Sequence, residues 1–192
     1  MNRISVVGNS GSGKSTMARR IAERLGHARL ELDGVYHREN WSPLPDEQFQ
    51  QRVDAFMDDN ERWVIDGNYS KVRDRVWARA ELVVWMDPER LPNMRALIGR
   101  TVKRAVLRQE LWNGNRENPW SLLSPRKEEN LLLWAAHKWP RYQSFYGKVQ
   151  LRPPRPGVEV LRIRERWQID ELVDCAAACN CEVDVETGQR RY

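Results

Sequence analysis

The sequence predicts an α/β fold with three layers, in which a five-stranded parallel sheet lies between helices. Short apolar segments of strand length recur along the chain, and segments with helical periodicity lie between them. One segment, residues 82–86, is apolar throughout, as expected of a strand covered on both faces. Such alternation is typical of right-handed βαβ units. The strand segments are residues 3–8, 30–33, 63–67, 82–87 and 158–163.

The first strand runs into a glycine-rich loop and then a helix. In that helix Met17, Ile21 and Leu25 recur at helical spacing, and Gly26 is placed to cap the carboxyl end. The loop has the spacing G-x-x-x-x-G-K-S. Glycines allow successive backbone N–H groups to face one anion, and the positive end of the following helix adds to the attraction. We therefore expect a nucleotide phosphate group at this loop.

The loop predicts ATP and Mg²⁺ as ligands. Lys14 would reach the β- and γ-phosphates, and the Ser15 hydroxyl would coordinate Mg²⁺. A chance match is disfavoured because the motif follows a predicted strand and opens a predicted helix. The expected nucleotide-binding residues are Gly8, Asn9, Ser10, Gly11, Ser12, Gly13, Lys14, Ser15 and Thr16.

Asp33 ends the second predicted strand and has two interpretations. It could accept a proton from the hydroxyl group of a phosphoryl acceptor, or orient that group. It could equally cap a turn before Gly34. The irregular stretch that follows, residues 34–45, would place Tyr36, His37 and Trp41 in the same cleft. A helix begins at Asp46.

Asp66 closes the third strand, at the sheet edge where the glycine-rich loop lies. A carboxylate there can hold Mg²⁺ directly or through water. The alternative is an Asp-Gly turn residue. Asp87 at the end of the fourth strand competes for the metal role, although Asp87-Pro88 more simply ends a strand.

The insert between the fourth and fifth strands spans residues 88–157, and its residues 88–152 carry thirteen Lys and Arg residues against five acidic residues. Arg100, Arg104 and Arg108 recur every four residues on a predicted helix, so their guanidinium groups could converge on phosphate oxygens. The alternative is a solvated basic face. Phosphoryl transfer requires cations over the γ-phosphate, which favours a closing lid at about residues 100–150. A polar turn, residues 112–117, suits its tip, and Arg116 is a further candidate.

Composition limits the class of protein. The chain has 192 residues, which suits one domain, and a net charge of +5, which suits an anionic partner. It shows no signal-peptide pattern and no apolar run of membrane-spanning length, so we expect a cytoplasmic protein. Cys175, Cys179 and Cys181 make a poor disulfide framework and lack an obvious fourth metal ligand. A helix from about Gln168 to Ala178 and a frayed tail at about 180–192 end the chain.

Several segments together resemble the P-loop kinases related to adenylate kinase, in particular the branch called DNA topology modulation protein. The matching pieces cover most of residues 3–164: GNSGSGKST, LDGVYHRENW, RWVIDGNYS, LVVWMD, ELWNGNRE and LLLWA. The resemblance implies a five-stranded parallel sheet, ATP bound at residues 8–16 and an arginine-bearing lid. Asn68-Tyr69 stands where adenylate kinases have Phe-Pro-Arg, so an AMP acceptor is not implied.

Two classes of function stay open at this stage. The first is an ATP-dependent kinase acting on a nucleoside, nucleotide or similar hydroxylated small molecule, with Lys14, Asp33, Arg100 and Arg104 as catalytic residues. Arg108 would bind the nucleotide, while Ser15 and Asp66 hold the metal. The second is a nucleotide-dependent regulator that binds nucleic acid through the basic insert. An ATPase or a phosphotransferase acting on a macromolecule is a third candidate.

Overall fold

The structure is a computed structural model that describes residues 1–117, 130–165 and 167–177. Its strands are β1 (Arg3–Gly8), β2 (Ala28–Glu31), β3 (Trp63–Asp66), β4 (Leu82–Met86) and β5 (Glu159–Ile163). Its helices are α1 (Lys14–Leu25), α2 (Leu32–Tyr36), α3 (Asp46–Asp59), α4 (Ser70–Arg79), α5 (Arg90–Val106), α6 (Leu131–Leu151) and α7 (Trp167–Ala177). Short 3₁₀ turns occur at Glu39–Trp41 and Trp112–Gly114.

All five strands are parallel, in the order β2-β3-β1-β4-β5. The predicted five-stranded parallel sheet is therefore confirmed. In the register, Val6 of β1 lies opposite Asp66 of β3, and Asp66 lies opposite Glu31 of β2. The carboxyl ends of these three strands therefore meet at the edge from which the glycine-rich loop emerges.

Helices α1 and α7 cover one face of the sheet. Ile4 and Val6 of β1 pack there against Met17 and Ile21 of α1, all at most 1% exposed, and Leu172 of α7 completes the cluster. This packing anchors the helix that follows the loop, and so fixes the direction in which its amino-terminal end points.

Helices α3, α4 and α6 cover the opposite face. The two largest buried side chains, Trp63 and Trp85, lie in this layer with Phe49 of α3 and Val76 of α4. Truncating a buried aromatic side chain of this kind costs about 3–5 kcal/mol. The sequence analysis did not identify α4, although the spacing of Val72 and Val76 indicates its buried face.

The second strand lies two residues earlier than predicted, at Ala28–Glu31 instead of residues 30–33. Asp33 therefore lies in the first turn of the short helix α2 instead of closing the strand. The backbone turns here because Leu32 is buried, only 3% exposed, against Gly67. A short apolar run alone does not distinguish a strand from a helix, which is why the boundary was misplaced.

The arginine-bearing helix ends before the last of the three predicted arginines. It ends at Val106, and Arg108 lies in the following turn with a φ of 44°, so the helical spacing does not continue to Arg108. The buried face of α5 consists of Asn93, Leu97, Thr101 and Ala105. Ile98, Val102 and Val106 are exposed instead.

At the carboxyl end, α7 agrees with the predicted helix as far as Ala177. The described residues do not include the predicted frayed tail, nor Ala178, Cys179 and Cys181. They also do not include the side chain of Cys175. Within the described ranges, every helix is too short or too polar to span a membrane.

Candidate active site

The glycine-rich loop between β1 and α1 forms the anion-binding end of the site. Gly13 has a left-handed φ of 88°, which turns the chain directly into α1. The first N–H groups of α1 have no partner within the helix and point out of its end. A Cβ on Gly8 would lie 2.5 Å from the Met86 carbonyl oxygen, so only glycine fits where the loop crosses β4.

Three asparagines brace this loop from different parts of the fold. The Asn68 side chain accepts a hydrogen bond from the Gly8 N–H at 3.0 Å and donates one to the Gly8 carbonyl. Asn93 of α5 donates to the Ser10 carbonyl at 3.0 Å, and Asn9 donates to the Ala135 carbonyl of α6 at 3.2 Å. The loop is thus held in shape before any ligand arrives.

Two donors of the loop are uncommitted among the described residues. The Ser12 hydroxyl is buried without a hydrogen-bond partner there, and Lys14 forms no ion pair with any described carboxylate. An ammonium group, a hydroxyl and a set of outward-pointing N–H groups together fit a polyphosphate. The predicted loop residues are therefore contiguous in space as well as in sequence.

The two predicted metal ligands meet at the mouth of the loop. The Ser15 hydroxyl donates to Asp66 Oδ1 at 2.8 Å, and Asp66 is only 1% exposed. Burial raises the pKa of Asp66, while the hydrogen bond from Ser15 and the charge of Arg29 act in the opposite direction. The described residues contain no cluster of three or more metal-binding side chains. A hydroxyl with one carboxylate suits Mg²⁺, which keeps several waters and binds substrate phosphates.

Arg29 is a residue that the sequence analysis missed. Its guanidinium nitrogens lie 2.9 and 3.3 Å from Asp66 Oδ2, and 3.3 Å from Glu31. The signal was present in the alternation of β2, because Arg29 and Glu31 share one face of the strand. Arg29 fixes the Asp66 carboxylate and leaves Oδ1 directed at Ser15.

The competing metal candidate, Asp87, is committed elsewhere. Arg162 of β5 donates to Asp87 Oδ2 at 2.8 and 2.5 Å, and Gln143 of α6 donates to Oδ1. This carboxylate therefore connects β4 to β5 and α6. Of the two candidates, Asp66 alone contacts Ser15.

Asp33 faces two aromatic side chains. The Tyr69 hydroxyl donates to Asp33 Oδ1 at 2.6 Å and lies 3.3 Å from His37 Nε2. Burial, and then the charge of Asp33, raises the pKa of Tyr69, so this hydroxyl stays a proton donor at physiological pH. The second carboxylate oxygen of Asp33 makes no hydrogen bond to the described residues, which leaves it available to an acceptor hydroxyl.

The predicted arginines separate into two groups. The pKa of Arg100 is lowered, first by enclosure in protein and then by the neighbouring Arg104, while Glu117, Asp33 and Glu31 oppose that effect. Arg100 keeps part of its surface exposed to solvent and is within electrostatic reach of these carboxylates. Arg104 is half-buried and donates to Glu117 at 3.3 Å. Arg108 lies past the end of α5 and is also exposed.

The predicted lid tip is docked on the loop after β2. Asn113 donates to the carbonyl oxygens of Gly34 and His37, at 3.1 and 2.5 Å. Asn115 accepts from the Trp41 N–H at 2.8 Å and donates to the Arg38 carbonyl at 2.8 Å. Arg116, the further candidate, pairs with Glu110 at 3.6 Å.

No family model matches this chain. A curated relative, the bifunctional pantoate ligase/cytidylate kinase of Gloeobacter violaceus, is 32% identical over 90 residues, which cover 42% of this chain. The match spans only 16% of that relative's length.

Solved structures align over nearly the whole chain. A gluconokinase from Sinorhizobium meliloti has a TM-score of 0.52 and 21% identity, with 92% of this chain and 90% of that chain covered. Shikimate kinase from Acinetobacter baumannii, in complex with shikimate, has a TM-score of 0.55 and 16% identity, with 94% and 95% covered. With its parallel strand order and phosphate-binding loop, this chain has the three-layer α/β fold of the P-loop kinases.

Proposed function

We propose that this protein is an ATP-dependent phosphotransferase that uses Mg²⁺ and phosphorylates a hydroxyl group of a small molecule. The observation that carries the proposal is the hydrogen bond between Ser15 and Asp66 at the mouth of the glycine-rich loop. A loop hydroxyl and a strand-end carboxylate that meet beside a phosphate-binding loop could hold Mg²⁺, which would neutralise charge on the phosphates. The solved kinases of the same fold and the partial match to a cytidylate kinase support this proposal.

In the proposed reaction each residue has a separate role. The loop N–H groups and Lys14 bind the phosphates of ATP, and Arg100 and Arg104 neutralise the charge that develops on the transferred group. Mg²⁺, when bound by Ser15 and Asp66, supplies further charge neutralisation. Asp33 accepts the proton of the acceptor hydroxyl while the acceptor oxygen bonds to the γ-phosphorus and the bond to ADP breaks.

The location of the arginines favours a kinase over a regulator that binds nucleic acid. Arg100 lies within electrostatic reach of Asp33 and Glu31, and Arg104 is paired with Glu117. On these contacts we assign both side chains to the site. Nucleic-acid binding through the insert would weaken steeply as salt concentration rises, and we expect no such binding.

The resemblance to the DNA topology modulation branch is consistent with this proposal. It rests on the segments GNSGSGKST, LDGVYHRENW, RWVIDGNYS, LVVWMD, ELWNGNRE and LLLWA and on the spaced arginines. We propose membership of that branch on these residues.

The test is an assay of the purified protein with ATP labelled at the γ-phosphate and a mixture of metabolites. We expect label to appear in a small hydroxylated compound, to require Mg²⁺, and to be lost in Lys14→Met. Release of labelled inorganic phosphate alone would instead identify an ATPase. Label in protein or nucleic acid would identify a macromolecular acceptor.

A further inference from the structure

A cavity of about 390 Å³ lies over the sheet, between α4 and α6. Ser5, Val7 and Ile65 form its floor, and Asn68 and Tyr69 form the end nearest the site. Its volume is within the range of small-molecule binding sites. Asn68 contacts Gly8 of the phosphate-binding loop, and Tyr69 contacts Asp33. The cavity therefore begins where the phosphoryl acceptor must be placed.

The walls of the cavity are unusually aromatic. Trp77 of α4 and Phe145 of α6 lie nearly parallel, at 18° with 6.1 Å between ring centroids. Trp134, Tyr142 and Tyr146 line the α6 side. On α6 these three residues recur at spacings of eight and four, so they occupy one face of the helix. Flat apolar walls of this kind favour a ligand with a flat ring.

The charges of the cavity all have one sign. Arg73, Lys138 and Arg141 line it, and none of the residues that form its described wall is acidic. Within the described ranges, Lys138 and Arg141 form no ion pair with a carboxylate. Arg73 lies over the rings of Phe145 and Trp77, at 4.4 and 5.4 Å from the centroids. Cations without acidic partners in a concave site attract an anion.

The cavity is electrostatically connected to Asp33. Burial raises the pKa of Tyr142, and the charge of Asp33 acts in the same direction, while hydrogen bonding to Asn68 and the charge of Arg141 oppose it. Tyr142 is thus within electrostatic reach of both Arg141 and Asp33, the residue proposed to accept the hydroxyl proton. A ligand in the cavity would lie with its anionic end towards α6 and a hydroxyl towards Asp33.

We propose that this cavity binds the phosphoryl acceptor, and that the acceptor combines a flat ring with an anionic group, a phosphate or a carboxylate. The inference rests on the proposed function, since it gives the acceptor class for the same site. Lys138 and Arg141 bind the anion, and Trp134 stacks on the ring. Neutral sugars and linear polyols meet neither feature of the cavity and are excluded as preferred acceptors.

Binding is tested first without ATP, by quenching of tryptophan fluorescence. The probes are the four nucleoside 5′-monophosphates and 3,4-dihydroxybenzoate, which have both features. The matching nucleosides have only the ring, and gluconate has only the anion. We expect the first group to bind at least about 10-fold more tightly than either of the others. Preference for the monophosphates or for the carboxylate identifies which anion is bound, and equal binding of all three groups would overturn the proposal.

The second test uses a double variant, Lys138→Ala with Arg141→Ala. Losing two charge-assisted contacts should raise the acceptor's Kd and KM by about 10- to 100-fold, with nucleotide affinity unchanged. The matched control is Lys148→Ala with Arg152→Ala, which removes two exposed cations near the end of α6 that do not line the cavity. Trp134→Leu should weaken ring-bearing ligands and leave gluconate unaffected.

The outcomes separate this inference from the proposed function. If ring-bearing anions bind but no compound is ever phosphorylated, the cavity assignment stands and the kinase proposal fails. If a neutral compound is phosphorylated and the double variant does not affect its KM, the kinase proposal stands and the cavity assignment fails.

Discussion

At the scale of single residues, the site depends on a few atoms whose partners the structure defines. Ser15, Asp66 and Arg29 form a connected set in which a hydroxyl and a guanidinium hold opposite oxygens of one buried carboxylate. Lys14 stands beside them without an acidic partner among the described residues. Replacing a residue that is hydrogen-bonded within the protein changes stability as well as activity. Replacing a residue without such a partner changes activity with no structural cost.

Replacing Lys14 tests a residue that has no acidic partner among the described residues. Lys14→Met removes the cation expected to follow charge from the β- to the γ-phosphate and leaves the backbone N–H groups in place. We expect turnover to fall on the order of 10²- to 10³-fold, the effect of losing one preorganised electrostatic donor. The melting temperature should not change. Lys148→Met, on an exposed part of α6, is the control, and wild-type turnover in Lys14→Met would end the kinase proposal.

Replacing Asp66 tests a residue that is hydrogen-bonded within the protein. The pKa of Asp66 is raised above its ordinary value of 3.8 in the folded protein, chiefly by burial, so ionising it costs folding free energy as pH rises above about 3.8. We expect Asp66→Asn to melt at a higher temperature than wild type at pH 7, and the difference to vanish below about pH 3.8. The same variant should need more Mg²⁺ for half-maximal activity.

One control variant accompanies the Asp66 measurement. Asp58→Asn removes an exposed carboxylate from α3, with 62% of its side chain accessible, and should bring no such gain. In Asp66→Asn, Arg29 keeps its contact with Glu31 at 3.3 Å and so does not become an unpaired buried cation. A lower melting temperature for Asp66→Asn at pH 7 would mean that the contacts with Ser15 and Arg29 outweigh the cost of burial.

At the scale of elements, the segment around the Trp112–Gly114 turn decides how the lid meets the rest of the site. Its asparagines bind backbone groups of the loop after β2, and Trp112 packs on Gly34. Because main-chain groups are the partners, docking depends on the shape of that loop more than on its side chains. Among the described residues of the insert, this segment therefore has the clearest contacts by which the lid could close over Asp33.

Asn115→Ala tests this docking. The change removes hydrogen bonds to the Trp41 N–H and to the Arg38 and Trp112 carbonyls. We expect amide exchange in residues 34–42 and 110–117 to accelerate on the order of 10-fold, and turnover to fall with little change in nucleotide affinity. Asn60→Ala, which removes one bond at the end of α3, is the control. Unchanged exchange at both segments would show that the docking contributes nothing to closure.

At the scale of the whole molecule, Asn68 connects the phosphate-binding loop to the helix layer that contains α6. Its side chain bonds both backbone groups of Gly8 and accepts a hydrogen bond from Tyr146 of α6 at 3.0 Å. Asn68→Ala should leave these buried groups without partners, at about 1–3 kcal/mol each. We expect a lower melting temperature together with at least about 10-fold weaker ATP binding, measured by calorimetry. Lower stability with wild-type nucleotide affinity would show that the loop keeps its shape without this brace.

The sequence by itself determined the parallel sheet and the phosphate-binding loop, because both are encoded locally. Nine consecutive residues, 8–16, carry the loop chemistry, and the central strands β3 and β4 are short, mainly apolar runs. Only the tertiary structure decided the rest of the site. Arg29 meets Asp66 across 37 positions, Tyr69 meets Asp33 across 36, and Asn115 meets Trp41 across 74. Such contacts depend on which helix faces pack together, and the spacing of residues along a chain does not specify that.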